Sequence, residues 1–153
     1  MNNKSHLTAI TRTTVSAPMR YLNKIEALHP IGLDYGCGKG HDADVLGWDR
    51  YDPYYTDGMT LTADLIPVTE PVKYPVITCN YVLNVVLPET QQTILDDIYW
   101  RLADDGVAYI TVRRDIKQEG YTSRGTYQRN VVLDLPIVRE TSGYCIYAMR
   151  KQS

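Results

Sequence analysis

The stretch Ile31-Gly32-Leu33-Asp34-Tyr35-Gly36-Cys37-Gly38-Lys39-Gly40 decides how the rest of the chain is read. Ile31 to Tyr35 is a short run of mostly apolar residues carrying one carboxylate, and three glycines follow within five residues. It reads as a buried strand feeding a glycine turn. Glycines there allow positive φ and bring backbone N–H groups close to a ligand. A dinucleotide fingerprint would need a third glycine where His41 stands, and no Gly-Lys-Ser/Thr closes the turn as a P-loop requires. What remains is D-x-G-x-G-x-G, with a second carboxylate, Asp52, after a short strand from Trp48 to Tyr51.

Working outward, Ser16 stands at an N-cap position, Pro18 falls in the first turn, and Leu22, Ile25 and Leu28 recur at helical spacing. An amphipathic helix is predicted over Ala17 to Leu28. His41 to Leu46 allows a turn or two of helix. Thr56 to Tyr74, with Pro67 and Pro71, reads as loop with a short extended piece near Thr60 to Leu65. Val76 to Cys79 is a buried strand. Pro88 and Glu89 open a helix with Ile94, Leu95, Ile98 and Leu102 on one face, and Gly106 is its expected left-handed cap. Val107 to Arg113 is a strand. Tyr127 to Leu135 and Tyr144 to Met149 read as two late strands joined through Thr141-Ser142-Gly143. Strands alternating with helices predict an α/β fold with a parallel sheet and an antiparallel pair at the C-terminal edge.

The chain has 153 residues, 44% hydrophobic and 22% charged, which fits one domain with its own core and excludes a disordered or collagen-like chain. Sixteen basic against 18 acidic side chains give a net charge of −2, which offers no help to non-specific DNA binding but leaves room for a local basic patch. Cys37, Cys79 and Cys145 are widely spaced and His6, His29 and His41 are scattered, so no disulfide framework or metal site is expected. Met1 to His6 lacks an apolar core, and no apolar run reaches membrane-spanning length. A single soluble, cytoplasmic domain over residues 1–153 is expected, with 1–16 a polar N-terminal segment or lid and no membrane partner.

An acidic residue ending the second strand of an α/β sheet accepts hydrogen bonds from both hydroxyls of a ribose. Asp34 adds negative charge beside the turn, which repels a pyrophosphate and suits a nucleoside carrying an ammonium and a sulfonium. S-adenosylmethionine (SAM) fits both requirements. The competing reading is an ordinary strand-turn-helix glycine corner.

Residues Ile31 to Gly40 resemble motif I of the class I SAM-dependent methyltransferases, and Asp52 matches that family's ribose-binding acidic position. Cys79-Asn80-Tyr81-Val82-Leu83-Asn84-Val85-Val86, followed by Pro88-Glu89, is similar to the family's fourth strand and the segment after it. Arg12, Ser16 and Pro18, with D-Y-G-C-G-K-G-H-D and N-Y-V-L-N-V-V, look more narrowly like methyltransferases associated with DNA phosphorothioation and their small phage-borne relatives. The resemblance covers roughly His6 to Asp115. It implies a minimal Rossmann-like sheet with reduced helices and SAM as cofactor. Cofactor contacts are implied from Asp34, Tyr35, Gly36, Cys37, Gly38, Asp52, Pro53, Asp64 and Asn80. Asp64 resembles the acidic residue that meets the adenine amino group, against the alternative of a solvated loop residue. The helix usual between the second and third strands is not expected here, because Thr56 to Tyr74 is short and broken by prolines.

Asp52-Pro53-Tyr54-Tyr55 looks like the D-P-P-Y grip of amino-methyltransferases. That motif belongs after the fourth strand, and the eleven residues between Gly40 and Asp52 cannot hold a three-strand path at about 3.3 Å per residue. Asp52 is therefore read as the ribose ligand, and Tyr54 as cofactor wall or turn.

Methyl transfer needs alignment and, for weak nucleophiles, a base. By position in the resembled motif, Asn80 and Tyr81 are candidates near the methyl, and Asn84 is a backbone clamp or a turn cap. Arg113 ends the fifth strand on the edge where open α/β sheets bind ligands. With Arg114, Asp115, Lys117, Arg124 and Arg129 it forms either a basic lip or a solvated loop, and Ser123 to Gly125 adds flexibility there, as a lid or as a plain loop. The expected function is SAM-dependent methyl transfer to a nucleic acid or a small molecule. The alternatives are a non-catalytic SAM-binding partner module and a nicotinamide-dependent oxidoreductase.

Overall fold

The computed structural model describes residues 16–36, 41–52 and 72–152. In chain order its elements are α1 (Ala17–Lys24), β1 (Leu33–Tyr35), α2 (His41–Leu46), β2 (Asp49–Tyr51) and β3 (Tyr74–Asn80). A 3-10 turn over Leu83–Val85 leads into α3 (Pro88–Arg101), then β4 (Leu102–Arg113), β5 (Gly120–Tyr121), β6 (Tyr127–Gln128), β7 (Ile137–Glu140) and β8 (Tyr144–Arg150).

Six strands form one sheet in the order β2-β1-β3-β4-β8-β7. The first four run parallel, and β8 and β7 add the antiparallel edge. The period-two alternation of strands gives each face its own core. Leu33, Ile77, Cys79, Ile110 and Tyr147 pack under Ile94 and Ile98 of α3. Val76, Val107, Tyr109, Ile146 and Ala148 pack with Met19 and Leu22 of α1 and Ala43 of α2. The result is a three-layer α/β fold in which few helices cover a mostly parallel sheet.

Four expectations are corrected. First, α1 stops at Lys24 because Glu26 takes a left-handed φ of 58°. Ala27 then donates to the Leu22 carbonyl and Glu26 to that of Asn23, a Schellman ending built without glycine. Second, the Ser16 hydroxyl donates to Asp42 Oδ2 at 2.8 Å instead of capping its own helix, so it fastens α1 to α2. Third, α3 ends at Arg101 and Asp105, not Gly106, adopts the left-handed φ. Gly106 lies within β4, where the backbone oxygens of Ala103, Tyr74 and Pro75 leave no room for a side chain. Fourth, the C-terminal hairpin partner of β8 is Ile137–Glu140, whereas only Tyr127–Gln128 of the earlier stretch is strand. That pair joins Gly120–Tyr121 in a separate ribbon whose turn holds Ser123 to Gly125. The predicted loop over Thr56 to Tyr74 lies almost wholly outside the described residues.

Candidate active site

In a sheet of this order the chain leaves β1 toward β2 on one side and returns with β3 on the other. The crevice outside the carboxyl ends at such a switch point is the physically favoured place for a ligand. A cleft of about 470 Å³ opens there, lined by Gly36 after β1, Asp52 after β2, and Asn80, Tyr81 and Val82 at the end of β3. Val85, Val86, Leu87 and Thr90, leading into α3, supply its apolar wall. Its size is that of a small-molecule site.

Gly36 is required twice over. Its φ is 73°, and an added Cβ would collide with Cγ2 of Val82. Its N–H donates to the Tyr51 carbonyl at 2.6 Å, tying the turn after β1 to the end of β2. Asp52, only 8% exposed, follows directly.

A row of polar residues crosses the α1/α2 face of the sheet in register. Asp34 stands opposite Thr78, and Asn80 opposite Thr111. Thr78 Oγ1 donates to Asp34 Oδ1 at 3.4 Å. The side-chain amide of Asn80 and the hydroxyl of Thr111 are buried with no hydrogen-bond partner among the described residues. Unpaired groups of this kind are expensive, and native cores avoid them unless a ligand or a function uses them. Burial, helped by the charges of Asp42 and Asp52 and opposed by the Thr78 hydrogen bond, pushes the Asp34 carboxyl up to about 8. The same burial raises the Cys79 thiol, with Asp34 and Asp52 adding to it. The site is thus an acidic centre in which Asp42 and Asp52 both act on Asp34.

Tyr81 carries the left-handed φ of 67°, held by its N–H to the Thr111 carbonyl at 2.8 Å. A non-glycine residue in that conformation stores strain, and such residues concentrate at functional sites. Burial raises its phenol above the ordinary tyrosine range, with Tyr144 contributing and Arg113 opposing. Asn84 is a backbone clamp. Its Nδ2 donates to the carbonyls of Arg129 (2.9 Å) and Arg113 (3.3 Å), and its Oδ1 accepts from the Arg113 N–H at 2.7 Å.

The structure therefore gathers Gly36, Asp52, Asn80 and Tyr81 into one cleft and sets Asp34 in the row beside it. Tyr35 is not among the lining residues; its phenol donates to Asp97 Oδ2 at 2.6 Å on the α3 face. Arg113 stands outside the lining, exposed and paired with Asp115 at 3.0 Å. Of the expected lip, Arg129 is a strut to the Val86 carbonyl and Gln91, and Arg114 pairs with Glu140 at 2.7 Å. Cys37, Gly38, Pro53, Tyr54 and Asp64 lie outside the described residues, as do His6 and Arg12. Sequence reading overlooked Asp42 and Thr111. A hydroxyl between Ile110 and Val112 in an apolar strand was the available signal for the second.

No protein-family model and no curated protein matches the chain. Solved structures do. DhpI in complex with SAH superposes over 97% of this chain and 94% of its own, with a TM-score of 0.58 and 12% identity. SibL, an S-adenosylmethionine-dependent methyltransferase in its apo form, gives 0.56 and 11% over 85% of this chain, which spans 52% of SibL. An O-methyltransferase family protein from Burkholderia thailandensis gives 0.55 and 12% over 99% of this chain and 60% of its own. The chain has the Rossmann-like methyltransferase fold. A fold alone leaves the chemistry open, which the site must supply. Among the described residues no cluster of His, Cys, Asp and Glu is arranged for a metal, and no helix is long and apolar enough to cross a membrane.

Proposed function

We propose that this chain is a SAM-dependent methyltransferase whose cofactor sits in the cleft between Gly36, Asp52 and Asn80. The observation that carries the reading is the convergence of those residues at the switch point, where the Asn80 amide is buried with no partner among the described residues. The residues suit the group. Asp52 would take the ribose hydroxyls, and the acidic centre around Asp34 would face the cationic end. Bound SAM supplies a methyl carbon on a sulfonium, open to in-line attack by an acceptor's lone pair. Asn80 and Tyr81 are assigned to the space around that methyl, where an amide and a phenol orient an acceptor through hydrogen bonds. Arg113 is assigned to the acceptor side. DhpI is described in complexes with SAH and with SAM, and SibL, in its apo form, is described as SAM-dependent; both support this assignment. Kinship with phosphorothioation-associated and phage-borne enzymes rests on the sequence motifs alone, and with it a nucleic-acid context and a cytoplasmic place of action.

Calorimetric titration with SAM and with its product tests the reading. Asp52→Ala should weaken binding by ~2–4 kcal/mol, taking ~1.5–3 for each charge-assisted hydrogen bond with some solvent compensation. Unchanged affinity removes the ribose assignment. Appearance of labelled methyl in an acceptor mixture separates an enzyme from a SAM-binding module, which would show binding without transfer.

A further inference from the structure

The mouth of the cleft changes character beyond Tyr81. Arg113 ends β4 directly opposite Tyr144, which begins β8. The Tyr144 hydroxyl accepts from Arg139 Nε at 3.2 Å, and the Arg139 guanidinium lies 4.3 Å from the centre of the Tyr21 ring on α1. Arg20, beside Tyr21, and Arg113 both act on the Tyr81 phenol. Three guanidinium groups and three tyrosines, from α1, β4, β7, β8 and the segment after β3, thus gather at the Tyr81 end of the site. Among the acidic groups interleaved with them are Asp115, bound to Arg113, and Glu140, bound to Arg114.

We infer that this arginine–tyrosine cluster holds a small anionic acceptor, a phosphate, phosphonate or carboxylate carried next to its nucleophile, while Tyr81 and Asn80 face the reacting atom. The inference rests on the methyl-transfer reading for its purpose, but the anion site itself stands on the cluster. Guanidinium groups bind such oxyanions through paired N–H donors, and a tyrosine-held guanidinium is already oriented to do so. A compact acceptor is favoured over a polynucleotide because Asp115 and Glu140 interrupt the positive surface. A long polyanion needs an extended cationic track and releases counterions along it.

The test is titration of the full chain with phenyl phosphate and with phenol, followed by amide NMR, with SAH binding measured separately by calorimetry. Phenyl phosphate should shift the amides of Arg113, Arg139 and Tyr144 and bind at least tenfold tighter than phenol. The R20Q/R139Q variant should lose at least tenfold in phenyl phosphate affinity, and R139K should recover part of it. SAH affinity should stay within about twofold in both variants. Equal binding of phenol, shifts elsewhere, or an unaffected R20Q/R139Q variant overturns the proposal. So does a single-stranded oligonucleotide that binds with steep salt dependence while phenyl phosphate does not bind. If SAH fails to bind while phenyl phosphate lands on the cluster, the methyl-transfer reading falls and the anion site stands.

Discussion

At Asp34, burial and two neighbouring carboxylates favour the protonated side chain up to about pH 8. The unfolded chain loses that proton near 3.8, so between the two values the folded state binds more protons than the unfolded one. Stability is then full below the lower value and declines as pH rises through the upper one. Asp34→Asn should flatten that slope, which urea midpoints measured at about pH 5 and about pH 8.5 will show. A cationic ligand favours the ionised form, so SAM binding should release a proton and tighten as pH rises toward 8. Calorimetry in buffers of different protonation heat measures that proton. Asn80 gives a second single-residue outcome. Its buried amide has no partner among the described residues, so Asn80→Leu should stabilise the ligand-free protein by ~1–3 kcal/mol while weakening SAM binding. A variant that loses stability instead would mean that the amide is satisfied in solution. Function held against stability is the expected pattern at a binding site.

At the scale of elements, the Asn84 clamp makes the 3-10 turn, the end of β4 and the segment after β6 one unit. Asn84→Ala removes three side-chain hydrogen bonds and should cost about 2–4 kcal/mol, read as a lower thermal midpoint. An unchanged midpoint would show that water replaces the clamp. Much of this scale was legible beforehand. The apolar runs gave β1, β3 and β4, and the Ile94, Ile98 spacing gave α3, because burial imposes those periods directly. The ending of α1 was not legible, since Glu26 does there what sequence rules assign to glycine or asparagine. Gly106 misled for the complementary reason: it is glycine for close backbone approach within β4 and not for a positive φ. The site divides in the same way. Asp34, Gly36 and Asp52 carry a spacing that can be read, whereas Arg20, Arg139 and Tyr144 become neighbours only through α1 packing and the β7–β8 hairpin.

For the whole molecule, ligand and fold are linked through the parallel strand ends. SAM at about a hundredfold over its dissociation constant should stabilise the chain by ~2.7 kcal/mol, raising the thermal midpoint by several degrees. NADH at the same excess should leave it unmoved, and the reverse result would favour the oxidoreductase reading. The sheet order also separates two inheritances. Among the described residues, every one lining the cleft comes from the stretch between Gly36 and Thr90, while the mouth draws on Arg113, Arg139 and Tyr144 from the later half and on α1 from the first. On the proposed methyl-transfer reading, selection can therefore rewrite the distal strands and their hairpin, trying new recipients, without disturbing the pocket that feeds them.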